Sequence, residues 1–150
     1  MANNMDILQE IFMTIIYKEK NYMTITEVSK LYDITPDTLR YYERIGLIPK
    51  IHRKKNGIRD YTQEDCNWVE FIKCMRNAGL PIETLIDYVT MFQQGDSTID
   101  ARKELLTEQR KVLEKKIKDM NETLGRLNHK IELYEKGLMI NEKELREKNK

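Results

Sequence analysis

The sequence is poor in the residues that build catalytic and metal centres. It has two cysteines and two histidines among 150 residues, and no Cys-x-x-Cys pair. These are too few ligands for an iron–sulfur cluster, and they argue against a thiolate metal site. Cys66 and Cys74 fall in one predicted helix, about 12 Å apart between Cα atoms, which is too far for a disulfide. There is no glycine-rich phosphate loop and no nucleophile–base arrangement, so we expect neither an enzyme nor a bound cofactor or metal.

Long apolar runs are also missing. No stretch approaches the roughly 18 residues that a membrane-spanning helix needs, and the first twenty positions lack the basic start and small-residue cleavage site of a secretory signal. We therefore expect a cytoplasmic protein without a membrane partner. Charged residues make up 34% of the chain and hydrophobic residues 40%, which is enough for a modest core.

The charge is unevenly distributed. The net charge is only +1. Positions 36–61 nevertheless hold seven basic residues against three acidic ones, a local charge of +4. The basic residues are Arg40, Arg44, Lys50, Arg53, Lys54, Lys55 and Arg59. Only the surface that contacts DNA has to be basic in a DNA-binding protein. This segment is therefore compatible with double-stranded DNA as a partner.

The basic segment begins inside a predicted helix-turn-helix. Thr24-x-x-Glu27 has the pattern of a capping box, and Thr35-Pro36 is a typical start for the next helix. Two short helices joined by a tight turn form the unit that places its second helix in the major groove. The predicted DNA contacts on this second helix are Thr38, Arg40, Tyr41 and Tyr42. The competing interpretation is a solvated charged face with the tyrosines in the core.

A small β-hairpin is predicted after the second helix. Asn56-Gly57 favours a tight turn, and residues 58–61 alternate like a short strand. Basic side chains on such a wing can contact phosphates or enter a narrow minor groove. The predicted contacts of the wing are Arg53, Arg59 and Tyr61. The alternative interpretation is a solvated loop, and it explains Arg59 less well than the other basic residues.

The last third of the chain has the heptad pattern of a coiled coil. A helix over residues 99–136 is predicted, about 57 Å long, and it cannot bury its apolar seam alone. The predicted dimerisation residues are Leu106, Leu113, Ile117, Met120, Leu124, Leu127, Ile131 and Tyr134. We expect a homodimer, with a helix folded back on its own domain as the alternative.

The expected fold is mostly α: a winged helix-turn-helix DNA-binding domain with a small β-hairpin wing, followed by a long dimerising coiled-coil helix. The predicted parts are an amphipathic N-terminal extension (1–22), the winged helix-turn-helix domain (23–95), the coiled-coil helix (96–140) and a charged tail (141–150). In the extension, Ile7, Leu8, Ile11, Phe12, Ile15 and Ile16 recur at helical spacing. This spacing favours a helix that packs on a partner surface over a disordered tag, but it does not indicate a role. The alternative, suggested by Met23 directly before the helix-turn-helix, is an extension beyond a normal start.

Three segments closely resemble the MerR family of transcription regulators. They are residues 40–49 (RYYERIGLIP), 57–61 (GIRDY) and 72–79 (IKCMRNAG). The resemblance, which extends over about residues 23–136, implies DNA contacts by Arg40, Tyr41, Tyr42, Arg59 and Arg76. It also implies an antiparallel two-helix coiled coil between protomers, and promoter DNA bent and untwisted so that RNA polymerase engages both core elements.

Within that family the chain is similar to the AdhR/NmlR-like branch, thought to sense aldehydes or other electrophiles through one cysteine. Cys74 stands at the matching position. Lys73 and Arg76 are expected to favour its thiolate, and modification is expected to enlarge a side chain packed beneath the DNA-binding helices. An inert packed cysteine is the competing interpretation, and Cys66 has no family support. A MerR-type regulator without a cysteine sensor and a coiled-coil adaptor that does not bind DNA remain as alternative functions.

Overall fold

The computed structural model describes residues 22–137 and 146–148. The predicted helix in the N-terminal extension, apart from Tyr22, and most of the predicted charged tail lie outside the described residues. The helices of residues 22–137 are α1 (Ile25–Tyr32), α2 (Pro36–Arg44), α3 (Gln63–Asn77), α4 (Ile82–Gln93) and α5 (Ile99–Glu135), with a 3-10 turn at Asp96–Thr98 before α5. None of these helices combines the length and apolar character needed to cross a membrane.

The predicted helix starts of the helix-turn-helix are confirmed. In α1 the Thr24 side chain accepts from the Glu27 N–H, and the Glu27 carboxylate accepts from the Thr24 N–H at 2.8 Å. In α2 the Thr35 hydroxyl accepts from the Thr38 N–H, and Pro36 occupies the first turn. These caps satisfy backbone donors that have no partner inside the helix. Both helix starts are thus set by residues within three positions of the boundary.

The wing is a loop closed by isolated bridges, and no regular strand forms in the described residues. Arg53 pairs with Arg59 across the turn at Gly57, whose positive φ of 82° suits glycine. Farther down, Met23 and Tyr61 exchange two backbone hydrogen bonds of 2.8 Å. The predicted hairpin is therefore shorter than expected, because its second pairing partner is the chain preceding α1 rather than a continued wing strand.

A single apolar core lies among α1 to α4. Its fully buried members include Val28, Leu39, Leu47, Ile48, Val69, Ile72, Leu85 and Val89. Each of the four helices and the loop after α2 contributes at least one of these side chains. The helix-turn-helix is thus held from behind by α3 and α4, which leaves the outer face of α2 free.

α5 is one continuous helix of 37 residues, about 56 Å long, which agrees with the predicted helix over 99–136. The chain divides into two compact units between Leu106 and Thr107, so the first turns of α5 belong with the helices before it. No residue of α5 is buried. Large apolar side chains of the predicted seam, such as Met120, Leu124 and Leu127, are more than half exposed in the single chain.

Candidate nucleic-acid interface

The outer face of α2 presents a basic and aromatic surface. Arg40, Tyr41 and Arg44 are exposed there, and the Arg44 guanidinium lies over the Tyr41 ring at 5.5 Å. Arg40 Nη1 forms a 2.7 Å ion pair with Asp37, which is also exposed. Exposed ion pairs contribute little to stability, so Arg40 can exchange this partner for a phosphate or a base edge at small cost.

Two predicted contacts on α2 are placed differently. Tyr42 is half-buried and packs against the core. The Thr38 hydroxyl lies 2.8 Å from the Thr35 hydroxyl and takes part in capping the helix. Their side chains therefore support the geometry of the surface formed by Arg40, Tyr41 and Arg44, and they are less available to DNA than those three.

Glu43 joins α2 to the wing. Its carboxylate accepts a 2.6 Å hydrogen bond from Nε of Arg59 and a 3.3 Å bond from the Ile51 N–H. The Glu43 and Arg59 side chains are only 8% and 19% exposed, and such shielding strengthens a charge-assisted bond. This role of Glu43 was not predicted from the sequence. The only local signal is an acidic residue on a helix whose exposed charges are mostly basic.

The other basic side chains of the wing are exposed. Arg53 is exposed and donates to the Gly57 carbonyl at 3.0 Å, which keeps the turn closed. Lys54 lies 3.6 Å from Asp60, whose carboxylate is nearly buried. Lys55 is exposed at the tip. Arg53, Lys54 and Lys55 together extend the positive surface of α2 along the wing.

The structure does not support Tyr61 as a DNA contact. Its side chain has no exposed surface and its hydroxyl has no hydrogen-bond partner. Burial raises the pKa of this hydroxyl to about 12. The predicted DNA contact by Tyr61 is therefore corrected: the residue is bridged to Met23, and its side chain belongs to the core. Arg76, the other distant candidate, donates to the Leu80 carbonyl at 2.6 Å and braces the turn between α3 and α4.

The two cysteines of α3 have opposite environments. Cys66 is fully buried, and burial raises the pKa of its thiol to about 12. Cys74 is exposed, so the expectation that it packs beneath the DNA-binding helices is wrong for the single chain. The helical phase explains the difference, since eight residues turn a side chain by about 80° around the axis.

The side chains beside Cys74 are engaged with the backbone. The Lys73 ammonium donates to the Tyr32 carbonyl at the end of α1, and Arg76 donates to Leu80. Residues adjacent to Cys74 therefore connect α3 both to the helix-turn-helix and to α4. No three His, Cys, Asp or Glu side chains within the described residues are grouped to hold a metal ion.

A helix-turn-helix with an exposed basic α2, a basic wing beside it and a long helix after the domain define a winged helix-turn-helix DNA-binding protein. Sequence comparison gives the family. The profile described as "MerR HTH family regulatory protein" matches residues 23–91, and the profile "MerR, DNA binding" matches residues 67–130. The chain belongs to the MerR family of transcription regulators.

Individual relatives agree with this assignment. The chain is similar to the HTH-type transcriptional regulator AdhR of Bacillus subtilis, with 58% identity over 91 residues, which cover 61% of this chain and 65% of AdhR. A MerR family transcriptional regulator from Listeria monocytogenes has a similar structure, with a TM-score of 0.76 and 46% identity, covering 85% of this chain and 96% of that one. HiNmlR, a MerR family regulator lacking the sensor domain and solved bound to promoter DNA, has a TM-score of 0.71 and 27% identity, with coverages of 80% and 95%.

Proposed function

We propose that this protein is a homodimeric regulator that binds and remodels promoter DNA and responds to aldehydes or related electrophiles through Cys74. The observation that carries the sensing step is the contrast between the exposed Cys74 and the buried Cys66. Similarity to AdhR and to the promoter-bound HiNmlR supports the same assignment.

The DNA-binding step uses the face of α2 and the wing. Arg40, Tyr41 and Arg44 contact the major groove or its phosphates, and Arg53 contacts the flanking backbone. The Glu43–Arg59 pair sets the angle between the two surfaces. Arg59 and Arg76 thereby act on DNA binding through positioning, since both are bonded inside the domain.

The dimer is formed by the seam of α5. Its exposed apolar side chains match those of another copy in heptad packing, and two DNA-binding domains then meet two half-sites of one promoter. A dimer that fixes the distance between the domains also fixes the twist of the DNA between the half-sites. RNA polymerase engages the promoter when that twist brings the core elements into register.

The sensing step is a thiol addition. The Cys74 sulfur adds to the carbonyl carbon of an aldehyde, the C=O π bond opens, and the thiol proton ends on the former carbonyl oxygen. Exposure lets a small aldehyde reach Cys74, whereas Cys66 is enclosed and holds its proton. The adduct adds polar bulk to α3 between Lys73 and Arg76, whose bonds fix α3 against α1 and α4. It is thus placed to shift the helix-turn-helix.

In-vitro transcription from the protein's own upstream promoter tests the proposal. We expect methylglyoxal to activate transcription with the wild type and to have no effect with Cys74→Ser. The matched control is Cys66→Ala, which leaves Cys74 as the only thiol and is expected to retain the response. Mass spectrometry of the treated protein should locate the adduct on the peptide that contains Cys74.

Two results would contradict parts of the proposal. An equal response of wild type and Cys74→Ser would retain the regulator and remove the cysteine sensor. Failure of the wild type to bind the promoter at any salt concentration would instead favour the coiled-coil adaptor, because phosphate contacts make genuine DNA binding strongly salt-dependent.

A further inference from the structure

The surface of α3 and α4 carries an aromatic groove that the DNA-binding surface does not use. Trp68, Phe71 and Tyr88 form its walls, with ring centroids 5.6–6.2 Å apart. The groove has a volume of about 200 Å³, and Glu64 and Asn67 complete its lining. The three ring planes are inclined to one another by 41° to 86°, and all three side chains are partly exposed. The groove therefore combines differently inclined aromatic rings with one carboxylate.

Glu64 is the unpaired charge of this lining. Its side chain is exposed and has no hydrogen-bond or ion-pair partner among the described residues. The neighbouring carboxylate, Asp65, is already used by the capping box at Thr62, and the Asn67 side chain accepts from Gln63 at 3.1 Å. Glu64 is thus the lining residue that is available to balance a positive charge.

The helices around the groove are acidic, in contrast to the basic surface of α2 and the wing. Residues 63–93 hold five acidic residues against two basic ones, a charge of −3. The acidic residues are Glu64, Asp65, Glu70, Glu83 and Asp87. The two basic residues, Lys73 and Arg76, donate to backbone carbonyls, and neither lines the groove. The charge of α3 and α4 therefore favours a cationic ligand.

The aromatic cluster already contacts one cation. The Arg102 guanidinium lies over the Phe92 ring at 5.4 Å, and Phe92 packs on Trp68 at 4.8 Å. Phe92 is not among the residues that line the groove, so Arg102 does not occupy it. Its positive charge opposes a second cation nearby, whereas Glu64 and the acidic surroundings favour one. The charges around the groove remain negative when Arg102 is included.

The size and the chemistry of the groove together indicate a class of ligand. The faces of aromatic rings attract cations, and recognition of quaternary ammonium groups is a characteristic use of such rings in proteins. A quaternary ammonium group has no N–H, so it needs a counter-ion but no hydrogen-bond acceptors. Pockets for drug-sized ligands are generally about 300–1,000 Å³. A groove of about 200 Å³ matches a smaller ligand, such as a trimethylammonium group on a short chain.

We propose that the groove of Trp68, Phe71 and Tyr88 binds a small quaternary ammonium compound, with the cationic group on the rings and Glu64 as its counter-ion. The inference does not rest on the electrophile response, since Cys74 is not among the residues that line the groove. It assigns the chain a small-molecule site on α3 and α4, distinct from the exposed face of α2.

Trp68 is the only tryptophan of the chain, so its fluorescence reports directly on the groove. We expect choline to change the emission saturably, with sodium chloride at matched concentrations as the control for ionic strength. The neutral isostere 3,3-dimethylbutan-1-ol has the same shape without the charge and should bind about tenfold more weakly. Equal affinities for the two compounds, or no saturable response to choline, would overturn the proposal.

Variants of the lining test the roles of the carboxylate and the rings. Glu64→Gln keeps the size of the side chain and should weaken choline binding about threefold at low salt. The matched control is Glu83→Gln, which removes the same charge from an exposed position of α4 outside the groove and should leave the affinity unchanged. Tyr88→Leu keeps an apolar wall without a π face and should weaken the binding of choline more than that of the neutral alcohol. Unchanged choline affinity in both Glu64→Gln and Tyr88→Leu would contradict the assignment.

Other occupants of the groove would give different results. A response to N-acetylargininamide without one to choline would assign the groove to a basic side chain of a partner protein. A choline response in Leu124→Asp that is absent from the wild type would assign the groove to the dimer contact, because a second copy would then cover it. Either result would overturn the proposal.

Discussion

At the residue scale, the ion pair between Glu43 and Arg59 connects the two surfaces that carry the positive charge. One carboxylate serves both the guanidinium and the Ile51 N–H, so a single side chain fixes the path of the wing relative to α2. Removing one partner of a shielded pair leaves the other charge uncompensated, which costs far more than losing an exposed pair.

We therefore expect Glu43→Gln to lower the free energy of unfolding by about 3 kcal/mol in urea titrations. The glutamine keeps the size of the side chain and an acceptor for Ile51, but not the charge that Arg59 needs. Asp37→Asn is the matched control, because it breaks the exposed pair with Arg40 and should cost less than about 1 kcal/mol. Equal losses in the two variants would show that the wing is held by something other than this pair.

The buried thiol predicts a loss of stability at alkaline pH. Burial raises the pKa of Cys66 from its ordinary value of 9.0 to about 12, so the folded chain keeps a proton that the unfolded chain releases. The stability due to this group is complete below pH 9 and is lost as the pH rises toward 12. Cys66→Ala should flatten the decline between pH 9 and 11 by up to about 1.4 kcal/mol per pH unit. Val69→Ala is the packing control, and parallel curves for both variants would contradict the assignment.

At the element scale, the sequence was sufficient for the helices and insufficient for the wing. Helix starts depend on caps within three residues, as at Thr24 and Thr35, so local patterns predicted them. The wing depends on Met23 pairing with Tyr61 across 38 positions, a contact that no local pattern contains. The same limit applies to the site: the location of the positive charge was predictable, but the partners of Arg59 and Lys73, which are Glu43 and the Tyr32 carbonyl, come from the tertiary fold.

The junction between α4 and α5 is organised around the Thr98 side chain. The Thr98 hydroxyl lies 2.6 Å from the Met91 carbonyl and 2.7 Å from the Gly95 carbonyl, and it accepts from Arg102 Nε at 3.1 Å. Arg102 also lies over the Phe92 ring at 5.4 Å. The start of α5 is thus held to the end of α4 around one hydroxyl.

Thr98→Val keeps the shape of that side chain and removes its hydrogen bonds. We expect a loss of about 1–2 kcal/mol in unfolding free energy and faster amide hydrogen exchange in the first turns of α5. Thr123→Val is the matched control on the same helix. It removes only an exposed bond to the Asp119 carbonyl, which helices tolerate losing. Exchange that rises equally at both sites would mean that Thr98 does not fix the junction.

At the scale of the whole molecule, the feature that needs an explanation is the exposed apolar seam of α5. A helix of 37 residues with no buried side chain exposes a row of large apolar groups, and water contact with that row is unfavourable. The proposed association through the seam would remove it from water and pair two DNA-binding surfaces of modest charge. Each surface alone would offer few phosphate contacts, so we expect tight binding at physiological salt to require both.

Leu124→Asp places a charge in the middle of the seam and should convert the dimer to monomers in sedimentation experiments. Because the two domains then bind independently, the symmetric promoter footprint over two half-sites should disappear, and the salt dependence of binding should become about half as steep. Lys115→Asp makes a larger change of charge on the opposite face of α5 and should leave both the dimer and the footprint intact. A wild-type footprint confined to one asymmetric half-site would contradict the dimeric arrangement, whatever the variants do, because the seam would then have no part in DNA recognition.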